Sequence, residues 1–122
     1  MESKVRKLIG YVALIWLAYL FVGHGIQALI GNPGFIILIT GVGFSYGVAK
    51  ILLFIVGIID MIIALALFKY RVPGIIIYAG LWPIVPYIMS YIVTGYFSFR
   101  IFISPVLAIV IYLVFIVGLE ND

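Results

Sequence analysis

One carboxylate stands apart in this sequence. Asp60 lies inside the apolar stretch YGVAKILLFIVGIIDMIIALALFKYR, which runs from Tyr46 to Arg71. A carboxylate in hydrocarbon is costly, so it is expected to face a bundle interior and to have a partner or a task there. The chain supplies aromatic donors to meet it. Counted at about 1.5 Å per residue from the basic residues that close the segments, Asp60 falls about 13 Å from the Lys69 end. Trp16, Tyr19, Tyr78, Trp82 and Tyr112 fall near the same level. Each carries an indole N–H or a phenol O–H that can donate to a carboxylate. Asp60 and these aromatics are the expected ligand-binding set, an acid in an aromatic-lined pocket, which is the usual make-up of a small-molecule site. The structural alternative is an acid that only ties helices together.

A second group of polar residues lies further out. His24 falls about 25 Å from Lys7 on the same scale, some 12 Å beyond Asp60, and Lys50 shares its level. An outer polar cluster of His24, Gln27 and Lys50 near the external mouth is therefore expected. Gly23 and Gly25 flank the histidine and would let a neighbouring backbone approach, because neither has a side chain. The plainer reading of His24 is an interfacial histidine bonded to water or a loop carbonyl. A lone histidine does not make a metal site. The chain has no cysteine, which excludes disulfides, thiolate metal sites and thiol exchange within it. No serine has a histidine and a carboxylate at one depth, so no acyl-transfer triad is expected. Gly41-x-Gly43 lies in an apolar run, outside the strand-to-helix context of a nucleotide fingerprint. No catalytic residue is assigned.

The elements that must position these residues follow from composition. Of 122 residues, 67% are hydrophobic and only 9% charged, against about 25% charged in soluble domains. An apolar run of roughly 20 residues crosses a hydrocarbon core of about 30 Å. Spans are predicted at about 8–30, 46–68, 72–94 and 101–119. The first is read as retained, since it is too long and aromatic for a signal-peptide core. The segment at about 35–45, after the Gly31-Asn32-Pro33-Gly34 turn signal, is too short to cross and too apolar for a solvated loop. It is expected to be an interfacial or re-entrant helix. Pro83 and Pro86 should kink the third span, because each removes a backbone donor. The predicted fold class is all-α, a polytopic integral membrane protein with four transmembrane helices in one domain over residues 1–122.

The net charge of +3 would suggest nucleic acid in a soluble protein. Here the basic residues sit at segment ends, so the lipid bilayer is the expected partner and nucleic acid is not. Lys4, Arg6, Lys7, Lys69 and Arg71 fall on one side of the membrane, Lys50 and Arg100 on the other. The positive-inside rule then places both termini in the cytoplasm, with the chain multi-pass in the cell membrane.

The stretch FVGHGIQALIGNPGFIILITGVGFSYGVAKILLFIVGIIDMIIALALF, residues 21–68, resembles the DoxX-like family of small four-span membrane proteins. The shared order is a Gly-His-Gly near the outer end of span one, a short apolar loop segment with proline and glycine, then an acid within span two. Asp60 takes the place of an acid that is often glutamate in that family. The resemblance implies a compact four-helix membrane bundle and a role as the membrane subunit of an oxidoreductase or quinone-linked complex. A quinone is the implied cofactor, and a membrane or peripheral oxidoreductase subunit the implied partner. With no cysteine and no haem-ligand pair, the chain offers no redox centre of its own and is not expected to be an enzyme alone. The leading expectation is a binding subunit that holds a quinone, lipid or other apolar ligand beside Asp60. The alternatives are a small proton-coupled transporter using Asp60, working as a homo-oligomer, and a ligand-free membrane assembly factor.

Overall fold

A backbone in hydrocarbon must satisfy its own hydrogen bonds, and a helix does so within one segment. Accordingly the computed structural model, which describes residues 3–70 and 72–118, holds helices and turns and no strand among those residues. The elements are α1 (Ser3–Leu29), α2 (Pro33–Gly41), α3 (Tyr46–Lys69), α4 (Pro73–Leu81) and α5 (Ile84–Thr94). A 3-10 turn (Phe99–Phe102), α6 (Ile103–Tyr112) and a π-helical turn (Leu113–Val117) complete the chain. Four runs are long and apolar enough to cross a membrane: Lys4–Leu29, Tyr46–Lys69, Pro73–Thr94 and Phe99–Val117. The protein is a four-helix membrane bundle. Arg71 and residues 119–122, which include the expected end of the fourth span, lie outside the described residues.

The helix ends follow local chemistry. α1 begins ahead of the apolar run, and Lys4 and Lys7 on it are exposed. Long basic side chains can extend from a helix end into the headgroup region, so the helix need not stop there. α2 opens on Asn32, whose side-chain oxygen accepts from the Gly34 N–H at 2.8 Å, with Pro33 in the first turn. Gly31 and Gly43, at φ of 73° and 116°, turn the chain on either side of α2. Ser45 caps α3 by accepting from the Val48 N–H at 3.3 Å.

The third span is broken, and prolines break it. α4 ends at Leu81 and α5 restarts at Ile84, across Trp82-Pro83. Pro86 has no N–H to offer the Trp82 carbonyl, which instead accepts from Val85 N–H at 3.1 Å.

Helix packing in lipid relies on close contact, because the lipid tails are as apolar as the side chains. α1 packs along α3, and α6 packs against α4 and α1. Leu14, Leu17 and Phe21 of α1 meet Leu67, Ile76 and Ile111 in the main core. A smaller cluster of Ala28, Ile36, Ala49 and Leu53 forms where α2 closes over α1 and α3. The outer surface is apolar too, with Ile15, Ile51, Ile62, Leu65 and Ile109 all more than half exposed. That face suits hydrocarbon.

Small residues set the register of α1 on α3. A methyl group at position 57 would sit 2.8 Å from Leu29 Cγ and 3.0 Å from the Gly25 carbonyl oxygen. One at position 25 would sit 3.0 Å from Met61 Sδ and 3.3 Å from Asp60 Cβ. Gly25 and Gly57 therefore mark the crossing, and Gly25 is level with Asp60. The first turns of α1 pack against the C-terminal π-helical turn, where a methyl at Gly10 would lie 2.5 Å from a Val114 methyl.

Candidate functional site

Asp60 lies on the inward face of α3 with Leu53, Gly57, Ala64 and Leu67, a helical spacing that keeps one stripe in the bundle. It is only 4% exposed. Trp82 stands at the break between α4 and α5, and its indole Nε1 donates to Asp60 Oδ1 at 3.0 Å. The Trp82 ring is stacked on Tyr78, with centroids 5.8 Å apart and planes 12° from parallel. A carboxylate has two oxygens with about four lone-pair sites, and one indole N–H occupies one of them. Among the described residues Asp60 has no second hydrogen bond and no ion pair.

The remaining acceptor capacity meets a cavity of about 480 Å³ that Asp60 and Trp82 both line. α1 adds Phe21 and His24, α2 adds Phe35, Leu38 and Ile39, and α5 adds Tyr87 and Ser90. Phe44, in the turn after α2, lies along the same wall. Pro83 and Pro86 at and after the break line this space too, and α5 buries none of its residues fully. The His24 ring meets the Phe35 ring edge-on at 6.2 Å. Among the described residues no lysine or arginine lines the cavity.

Neither models of protein families, nor curated proteins, nor solved structures match this chain. The site is therefore read from its own chemistry: an apolar, aromatic-walled cavity with one acid and one imidazole. Among the described residues no three histidine, cysteine, aspartate or glutamate side chains cluster as metal ligands. A smaller hollow of about 290 Å³ lies near the hairpin before α6, between Tyr87, Tyr91 and Phe97. Among the described residues no acid or imidazole lines it.

Of the aromatics expected around Asp60, the fold brings only Trp82 to it, with Tyr78 stacked behind. Trp16 and Tyr19 face outward, 50% and 72% exposed. Tyr112 packs, half-buried, against the main core. Depth along a helix says nothing of rotation about its axis, and these side chains point away from the acid. The outer residues are distributed differently from the expected cluster. His24 lines the same cavity as Asp60, whereas exposed Gln27 accepts a hydrogen bond from the Asn32 amide. Lys50 lies over the Tyr46 ring, 5.5 Å from its centroid. The 12 Å offset expected between His24 and Asp60 assumed that Lys7 and Lys69 mark one plane. They do not, because the Gly25–Asp60 contact sets α1 in a register that carries its first turns past the end of α3.

Phe21, Phe35, Phe44, Tyr87 and Ser90 are cavity residues that sequence reasoning passed over. Phe21, His24 and Ala28 share a helical spacing that could have linked them. Nothing local marks the contributions of α2 and α5, which come from tertiary placement.

Proposed function

We propose that this chain is a membrane-embedded binding subunit that holds one apolar molecule by a polar end at Asp60. The observation that carries this reading is the Asp60 carboxylate, bonded once by Trp82 and otherwise facing a cavity of about 480 Å³. Ligand sites typically span about 300–1,000 Å³, with apolar and aromatic walls and few polar groups. An acid that served only to tie helices would have its acceptors taken up by neighbouring donors. A quinol, which has the O–H donors that a quinone lacks, or a lipid with a donor in its headgroup has the required apolar body and polar end. The resemblance of residues 21–68 to the DoxX-like family supports a quinone-linked role beside an oxidoreductase partner, which would supply the redox centre. The distribution of basic residues supports a topology with both termini in the cytoplasm.

The test is native mass spectrometry of the protein in mild detergent, wild type beside Asp60→Asn. Asparagine keeps an oxygen that can accept from Trp82, so the variant should fold. A discrete apolar molecule retained by wild type and reduced in the variant is the expected result. Nothing retained by either protein, with both equally stable, would leave a scaffold role instead.

A further inference from the structure

We infer that the cavity selects an organic ammonium, a monocation with apolar substituents, over neutral ligands of the same shape. This rests on the reading that the cavity holds one apolar molecule by a polar end at Asp60, and it sets a charged amine in place of the quinone or lipid as that molecule. Asp60 is an acid whose bundle supplies no counter-ion: among the described residues it forms no ion pair, and no lysine or arginine lines the cavity. Lys50 and Lys69 are on the same helix but about 15 Å and about 13 Å away along it, at about 1.5 Å per residue. Charge attraction strengthens as water is excluded, so a cation beside Asp60 gains more than a neutral donor would. A hydrogen bond between two charged groups is also about twice as strong as one between neutral groups.

The walls suit the same guest. Phe21, Phe35, Phe44 and Trp82 line the cavity, and an aromatic face attracts a desolvated cation through its ring quadrupole. His24 also lines the cavity, edge-on to Phe35. Its neutral form can accept from an ammonium N–H through one ring nitrogen. The missing basic residues exclude one source of ammonium. A phospholipid headgroup brings a phosphate with its amine, and among the described residues no cation lines the cavity to receive it. The guest is therefore a free lipophilic amine.

The experiment compares 1-adamantylammonium with 1-adamantanol, which share a cage and differ in head charge. Binding is measured by calorimetric titration in mild detergent, against protein-free detergent blanks. Wild type should prefer the ammonium by about tenfold or more, and Asp60→Asn should lose that preference while still binding the alcohol. Phe35→Leu, which removes one ring and leaves the acid, should weaken the ammonium severalfold and the alcohol little. Added phosphatidylethanolamine should not displace the amine; displacement would reassign the site to a lipid headgroup. Equal affinity of wild type for the two probes overturns the cation preference and leaves the cavity reading standing. Binding of neither probe overturns both.

Discussion

The Trp82 indole donates to Asp60 Oδ1 across 3.0 Å, and this single bond joins the break in the third span to the middle of the second. The two helices are otherwise in limited contact, since α3 packs mainly on α1 and α4 mainly on α6. The bond thus positions the acid at the cavity wall and holds the indole inward at the last residue before the break, where the Trp82 N–H still donates to the Tyr78 carbonyl at 2.9 Å.

Trp82→Phe keeps a ring and removes the donor. Leaving a buried acceptor unsatisfied costs about 1–3 kcal/mol, so thermal unfolding in detergent should shift downward by a corresponding amount. In combination with Asp60→Asn the loss should be less than the sum of the single losses, as for any pair in contact. Strict additivity would show that the bond contributes nothing to stability.

Gly57→Ala should destabilise the bundle by about 1–3 kcal/mol, the usual effect of overpacking. The added methyl would face Leu29 and the Gly25 carbonyl at contact distances too short to keep. Gly47→Ala is the matched control on the same helix, because a methyl there meets nothing within 4 Å. It should stay within about 0.5 kcal/mol of wild type. Denaturant or heat titration of both variants distinguishes the crossing from a general effect of alanine.

Pro86→Ala returns an N–H that can reach the Trp82 carbonyl and lets the third span straighten. Stability should hold or rise, since a proline inside a helix costs about 3 kcal/mol. Ligand retention should fall severalfold, because the break and Pro86 itself lie on the cavity wall. Unchanged retention in native mass spectra would show that the break does not shape the site.

α2 should be seated by one face. Ile36 is buried and Ile37 exposed, and the chain has no cysteine of its own. In detergent, a membrane-permeant maleimide should label Ile37→Cys readily and Ile36→Cys slowly. Similar labelling of both would mean that α2 does not rest on α3 and α5.

Much of this protein was legible without a structure. Long apolar runs closed by charge specify spans, because only helices satisfy their backbone in hydrocarbon. The lone acid at Asp60 marks an inward position, and the absence of a donor at Pro83 and Pro86 marks a break in the third span. The segment after Asn32 is too short to cross, and it forms the nine-residue helix α2. These features are local, set by residue type and length.

Which side chains meet Asp60 was decided only by tertiary structure. Counting residues gives depth but not rotation, so Trp16 and Tyr19 share a predicted level with the acid and still face outward. Nor does counting give the relative height of two helices. That height is set where Gly25 and Gly57 cross, which brings His24 to the cavity of Asp60 and leaves Lys7 and Lys69 in different planes. The cavity itself depends on α5 being laid against α2 from a distant part of the chain. Sequence by itself determined the spans, the inward acid and the break; the bundle decided their partners, because rotation and register are settled by contacts between helices and not by the residues of any one of them.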